Sequence, residues 1–254
     1  MILTVDVGNS NICLSLHENA PKPLFLERLH TDREKTSAAY EADLYAIFAL
    51  HGVSVSEVSG IVFSSVVRPV TETLFPALSA VFSCKIITVN YDLDLGFTSN
   101  VDNPYEIGAD ILSDTVGAIS EYPLPLLTFD FGTATVSSYV NADGVHEGVF
   151  ISPGVRTSLN ELLSASALPD ISLGDPGSAI GKTTVAAVKS GIVYGSAGLI
   201  DGIAAHLEEA FGRPVTVILT GGLAPFIAPY CKHPVILDPE LLMKGLYKIW
   251  ERNA

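Results

Sequence analysis

Apolar and polar positions alternate in short runs near the start of the chain and again at its middle, and the two stretches match. Residues 2–10 read ILTVDVGNS and residues 126–134 read LLTFDFGTA, an offset of 130 − 6 = 124 positions at the aspartates. Leu3/Leu127, Thr4/Thr128, Asp6/Asp130 and Gly8/Gly132 are identical. In each copy an apolar or β-branched run ends at Asp, Gly follows two residues later, and a second β-rich run succeeds it (NICLSLH; TVSSYV). This pattern predicts a strand, a tight turn and an antiparallel return strand, twice. In the first half FLERLH reads as a third strand and SAAYEADLYAIFALHG as a helix stopped by Gly52. GIVFSSVV is a buried strand, PVTETLFPALSAVF a helix and KIITV a further strand. In the second half GVHEGVFI completes a meander, and VAAVKSGIVYGSAGLIDGIAAHLEEAFG is a long helix interrupted by glycines. PVTVILTGG is a strand running into a turn, and PELLMKGLYKIWER an amphipathic helix with Pro239 in its first turn. The expectation is an α/β protein of two similar lobes, residues 1–121 and 122–254, joined near Glu121–Pro125.

Composition narrows the function classes. Of 254 residues, 48% are hydrophobic and 17% charged, enough apolar material for a packed core. Acidic residues outnumber basic ones 28 to 14, a net charge of −14. That field repels a polyanion and argues against nucleic acid as a partner. Cys13, Cys84 and Cys231 are far apart and lack metal-site spacing, as expected of reduced thiols. The N-terminal MILTVDVGNS has no basic n-region, and no apolar stretch reaches the length of a membrane span, so the expected setting is cytoplasmic, without membrane contact.

Chemistry concentrates at the paired turns. A glycine turn lets backbone N–H groups approach a phosphate without a Cβ in the way, and hydroxyl or amide neighbours add donors. A carboxylate at the strand end can hold a cation that screens that phosphate. Facing each other across an interlobe cleft, two such turns would clamp a polyphosphate. LTGGL (219–223) follows a strand and is either a flat backbone surface for a nucleoside or a plain loop. Asp110 is either an acid–base group or the N-cap of a helix over ILSDTVGAIS. The run GSAIGKT (177–183) is one residue short of a P-loop.

The paired DxG turns followed by a late GG resemble the acetate kinase, sugar kinase, Hsp70 and actin superfamily, with its two RNase H-like lobes, mixed sheets flanked by helices and an interlobe cleft. More narrowly, DVGNSN (6–11), SSVV (64–67), DNPYEIGAD (102–110), DFGTAT (130–135), ISPGV with a later ALP (151–169), AIGKTTVAAVKSGIVYG (179–195) and TGG (220–222) resemble the type III pantothenate kinase family. The resemblance implies an ATP-dependent kinase phosphorylating the primary hydroxyl of pantothenate, the first step of coenzyme A biosynthesis. It implies ATP contacts at Asp6, Val7, Gly8, Asn9, Ser10, Asn11, Ile12, Cys13, Gly132, Thr133, Gly221 and Gly222. Asp110 would be the general base, with Gly108, Ala109, Asp110 and Thr184 on the acceptor side. Asp130 would hold a monovalent cation (K⁺ or NH₄⁺) and Asp6 would serve Mg²⁺–ATP; the assembly would be a homodimer. Two positions depart from the family: Ile111 stands where the family has Arg, and Val101 where it usually has Tyr. They raise the alternatives of a different small-alcohol acceptor or a non-catalytic nucleotide-binding relative. Arg156 and Lys182 are either substitute cations or ordinary surface charges.

Overall fold

A computed structural model describes all residues, Met1–Ala254, and the chain divides into two compact units. The first comprises residues 1–98, 102–120 and 241–254; the second comprises 99–101 and 121–240.

The first unit is built on a five-stranded sheet ordered β3-β2-β1-β4-β5. Its strands are β1 (Ile2–Val7), β2 (Asn11–His17), β3 (Phe25–His30), β4 (Gly60–Ser65) and β5 (Lys85–Thr88). β1 pairs antiparallel with β2 and parallel with β4, so the sheet is mixed. Alternation along β1 decides the layers. Leu3, Val5 and Val7 join a core with Tyr40, Leu44 and Phe48 of α1 (Ser37–Leu50) and Val70, Leu74 and Leu78 of α2 (Arg68–Val81). Thr4 and Asp6 have the opposite parity and face α3 (Ala109–Glu121) and α7 (Leu241–Asn253). On that face Val62 packs with Leu112, Val116, Met243, Leu246 and Ile249.

The two helices on this face meet backbone to backbone. A Cβ at Gly245 would collide with the Ser113 carbonyl, and one at Gly117 would meet the Gly245 nitrogen at 3.2 Å. The C-terminal helix therefore belongs by its contacts to the first unit, where the sequence reading put residues 122–254 together in a second lobe. Its amphipathic pattern was visible, but pattern alone does not say which sheet an apolar stripe covers. The helix also starts at Leu241, leaving Pro239 just ahead of it.

The second unit repeats the plan. Its sheet runs β11-β10-β7-β8-β9, extended by a two-residue strand β6 (Thr98–Ser99) beside β9. The strands are β7 (Leu126–Phe131), β8 (Ala134–Val140), β9 (Val145–Pro153), β10 (Thr216–Thr220) and β11 (Val235–Leu237). Replacing β1–β5 by β7–β11 reproduces the first sheet's order, and β7 again pairs antiparallel with β8 and parallel with β10. Leu127, Phe129 and Phe131 pack with Val193, Ala197, Ile200 and Ala204 of α5 (Thr184–Phe211), which Gly212 ends in a left-handed conformation at φ 66°. α4 (Val155–Ser164) and the single-turn α6 (Ala224–Ile227) complete the helices of this unit. No helix is long and apolar enough to cross a membrane.

Candidate active site

The first turn grows out of β1. Asp6 is buried at the penultimate position of that strand, in register with Cys13 on β2 and Ser64 on β4. Ser64 Oγ donates to Asp6 Oδ1 at 2.7 Å, so the carboxylate is held from the neighbouring parallel strand. Gly8, Asn9 and Ser10 form the turn, and Gly8 N donates to the Asn11 carbonyl at 3.0 Å. Asn9, Ser10 and Asn11 are exposed, while Val7 and Ile12 anchor the turn in the core. Thr31, just after β3, braces it from the side: its hydroxyl donates to the Gly8 carbonyl at 2.7 Å and its amide to the Ser10 carbonyl at 3.1 Å. The Gly8 and Ser10 carbonyls are thus engaged by Thr31, and the side chains of Asn9 and Ser10 stand exposed at the tip.

The second turn is tighter. Asp130 takes the penultimate place in β7, in register with Thr220 of β10, and Gly132 and Thr133 alone make the turn. Gly132 N donates to the Ala134 carbonyl at 3.1 Å. The brace again comes from the segment after the third strand. Gly154 N donates to the Thr133 carbonyl at 3.2 Å, and Thr157 Oγ1 donates to the same oxygen at 2.7 Å. A Cβ on Gly154 would reach 2.6 Å from the Gly132 carbonyl, so only glycine lets α4 start this close beneath the turn. Gly221 follows β10 at φ 84°, where an added Cβ would collide with Asp130 Oδ1 and sit 2.6 Å from Phe131 N. Backbone therefore walls this carboxylate where a serine holds its counterpart. Gly222, beside it, is exposed and opens onto free space.

Asp110 sits in the first turn of α3 rather than capping it. The Gly108 carbonyl accepts the Leu112 amide at 3.0 Å, which makes Gly108 the cap position. Asp110 Oδ1 accepts from Ile111 N at 2.8 Å, and a Cβ on Gly108 would overlap that oxygen. Burial pushes the Asp110 carboxyl above its ordinary value, and the backbone amides pull the other way without cancelling it. Ala109 and Cys13 border the same apolar cluster, so the head of α3 lies over the sheet face that carries Asp6.

The remaining predicted residues are more scattered. Thr184 is the exposed first residue of α5, whose cap is Thr183, accepting from Ala186 N at 3.2 Å. Ile111 is half-buried in the first unit, whereas Val101 falls in the short segment grouped with the second. Arg156 and Lys182 are exposed. The braces Thr31, Gly154 and Thr157 were missed by sequence reasoning, which reads a turn from its own residues and not from what holds its carbonyls. Ser64 carried a signal, the matching SSVV string, without a role.

A family model described as type III pantothenate kinase matches residues 2–206. A curated Bacillus cytotoxicus protein described as a type III pantothenate kinase is 38% identical over 255 residues, covering 100% of this chain and 97% of its own. Among solved structures, a Campylobacter jejuni protein assigned to the Baf family of transcriptional activators is similar at TM-score 0.60 and 19% identity, covering 98% of this chain and 97% of its own. The activator of the 2-hydroxyisocaproyl-CoA dehydratase from Clostridium difficile, solved with bound ADPNP, follows at TM-score 0.53 and 13% identity, with 99% and 95% covered. These two speak for the fold alone, which is that of the actin-like ATPases and sugar kinases. Full-length kinship and the matched residues together make this chain a member of the type III pantothenate kinase family.

Proposed function

We propose that this protein transfers the γ-phosphoryl group of ATP to the primary hydroxyl of pantothenate, the entry reaction of coenzyme A biosynthesis. The observation that carries the reading is the relationship to a curated type III pantothenate kinase over the whole chain. The twin turns support the nucleotide part. Gly8 and Gly132 each begin a turn without a side chain, two residues after an aspartate at the penultimate position of a strand. Asp6 to Cys13, Gly132, Thr133, Gly221 and Gly222 are the residues we assign to ATP.

The residues fit metal assistance of a particular kind. No group of three or more His, Cys, Asp or Glu side chains is placed so that it could hold a metal ion by itself. An ion here takes most of its ligands from phosphate oxygens, backbone carbonyls and water, with one carboxylate, as Mg²⁺ commonly does. Asp6 is our candidate for Mg²⁺–ATP, and Asp130, walled by backbone, for a monovalent cation such as K⁺. When bound, these ions neutralise charge on the phosphates.

Asp110 is the general base in this reading. It takes the proton of the acceptor hydroxyl as that oxygen bonds to the γ-phosphorus; the bond from phosphorus to the β,γ-bridging oxygen breaks and ADP leaves. A carboxylate whose proton affinity is raised by burial is a stronger base than one in water. Gly108, Ala109 and Thr184 complete the acceptor side, and the working form is a cytoplasmic homodimer without nucleic acid or membrane partners.

An ADP-release assay with pantothenate, with and without K⁺, tests the function, and light scattering tests the dimer. Turnover that needs pantothenate and rises with K⁺ is expected. ATP binding with no pantothenate turnover, alongside turnover of another small alcohol, would overturn the acceptor assignment.

A further inference from the structure

We infer that Arg33 is a phosphate-binding residue, supplying a guanidinium to the outer phosphates of ATP at the first turn. The inference rests on the kinase reading and adds to it a residue outside the motifs that carry the family resemblance. Two residues before it, Thr31 ties this segment to the Gly8 and Ser10 carbonyls at 2.7 and 3.1 Å, which fixes the chain after β3 against the turn. From there Arg33 Nη2 reaches Asn9 Oδ1 on the tip of the turn at 3.4 Å.

Arg33 is exposed and enters no ion pair with either acidic neighbour, Asp32 or Glu34. The Asp32 carboxylate accepts Glu34 N at 2.9 Å and the Asp32 carbonyl accepts Tyr40 OH at 3.1 Å. The nearby Lys35 is committed elsewhere, paired with Asp43 and lying 5.0 Å from the centre of the Tyr40 ring. Arg33 is thus the cation of this segment that addresses the turn, and its fork of donors suits phosphate oxygens. In a protein of net charge −14, a tetra-anionic ligand needs such a local positive charge. The second unit supports the logic: there too a threonine hydroxyl braces the turn, and an arginine, Arg156, adjoins that Thr157.

Full-length wild type, Arg33→Ala, Arg33→Lys and the charge-matched control Arg213→Ala are titrated calorimetrically with a Mg²⁺-loaded, non-hydrolysable ATP analogue. Arg213 precedes β10, at the opposite end of that strand from Gly221. Arg33→Ala is expected to weaken binding roughly five- to tenfold, and Arg33→Lys roughly two- to threefold. Arg213→Ala is expected to leave binding as in wild type. The loss in Arg33→Ala should appear in the KM for ATP and not in that for pantothenate, with a shallower salt dependence. Unchanged analogue binding in Arg33→Ala, or an equal loss in Arg213→Ala, overturns the inference. Analogue binding with the expected arginine effect but no pantothenate turnover upholds Arg33 and defeats the acceptor assignment. No analogue binding by wild type defeats both.

Discussion

The two sheets carry the same strand order and the same Asp-x-Gly ending on their first strand, yet they treat that aspartate differently. In the first unit Asp6 is buried and receives the Ser64 hydroxyl, and the turn beyond it has three residues. In the second unit the turn has two residues, and the position next to Asp130 on the parallel strand leads into Gly221, held at φ 84° with no room for a Cβ. A serine on the neighbouring strand donates to one carboxylate, whereas glycine backbone closes in beside the other. Duplicated topology thus surrounds equivalent aspartates in two different ways.

Asp110 gives the largest effect by which this comparison can be sharpened, since it lies over the Asp6 face and has no counterpart among the motifs of the second unit. Asp110→Asn should lower kcat by about 10²- to 10⁴-fold with little change in KM for ATP, as read by steady-state assay. The same variant should melt at a higher temperature than wild type. Because the folded carboxyl binds its proton more tightly than the unfolded one, Asp110 favours folding at low pH and costs stability as pH rises through its folded value; Asn removes that cost. For the same reason the acid limb of kcat/KM should fall at a pH above that of an ordinary aspartate.

Next in size is a pair of glycine replacements. Gly221→Ala meets Asp130 and Phe131 at a left-handed φ and should cost about 2–3 kcal/mol in denaturant unfolding, with ATP affinity reduced as well. Gly8→Ala meets the Asn11 carbonyl at 3.3 Å and Asp6 Oδ2 at an ordinary 3.9 Å, and should cost less than about 1 kcal/mol. Equal costs would erase the distinction between the two turns. Ser64→Ala should cost about 1–2 kcal/mol, because a buried carboxylate loses its donor. The smallest pair concerns the braces: Thr31→Val and Thr157→Val should each cost about 1 kcal/mol, and unfolding midpoints will show whether the turns are held with equal strength.

Much of this architecture could be read from the chain because local and global signals agree. The repeat at Asp6 and Asp130 predicts both hairpins, and strands such as 25–30 and 60–65 lie where alternation and β-branched runs put them. The glycines of the long helix 184–211 left it legible, and Gly191, Gly195, Gly198 and Gly202 all face open space, so they weaken the helix without serving a contact within this chain. Less legible were features that depend on distant partners. Helix 155–164 carries few buried residues, only Val155 and Leu159, and the three-residue strand 235–237 is too short to show a period. Asp110 reads in the sequence either as an acid–base group or as a helix N-cap; the bond from Leu112 N to the Gly108 carbonyl excludes the cap. The braces at Thr31 and Thr157 depend on sheet geometry that brings a third strand's end back to the first turn, which no local pattern encodes.

The last helix has a consequence for how the molecule is made. Residues 241–254 supply Met243, Leu246 and Ile249 to the apolar layer behind the first sheet. During synthesis the amino-terminal unit therefore emerges first but is finished last, after nearly all of its neighbour has left the ribosome. Its rear layer stays only half covered, by α3, throughout that interval, and loss of residues 241–254 would damage the half of the protein that was translated at the beginning.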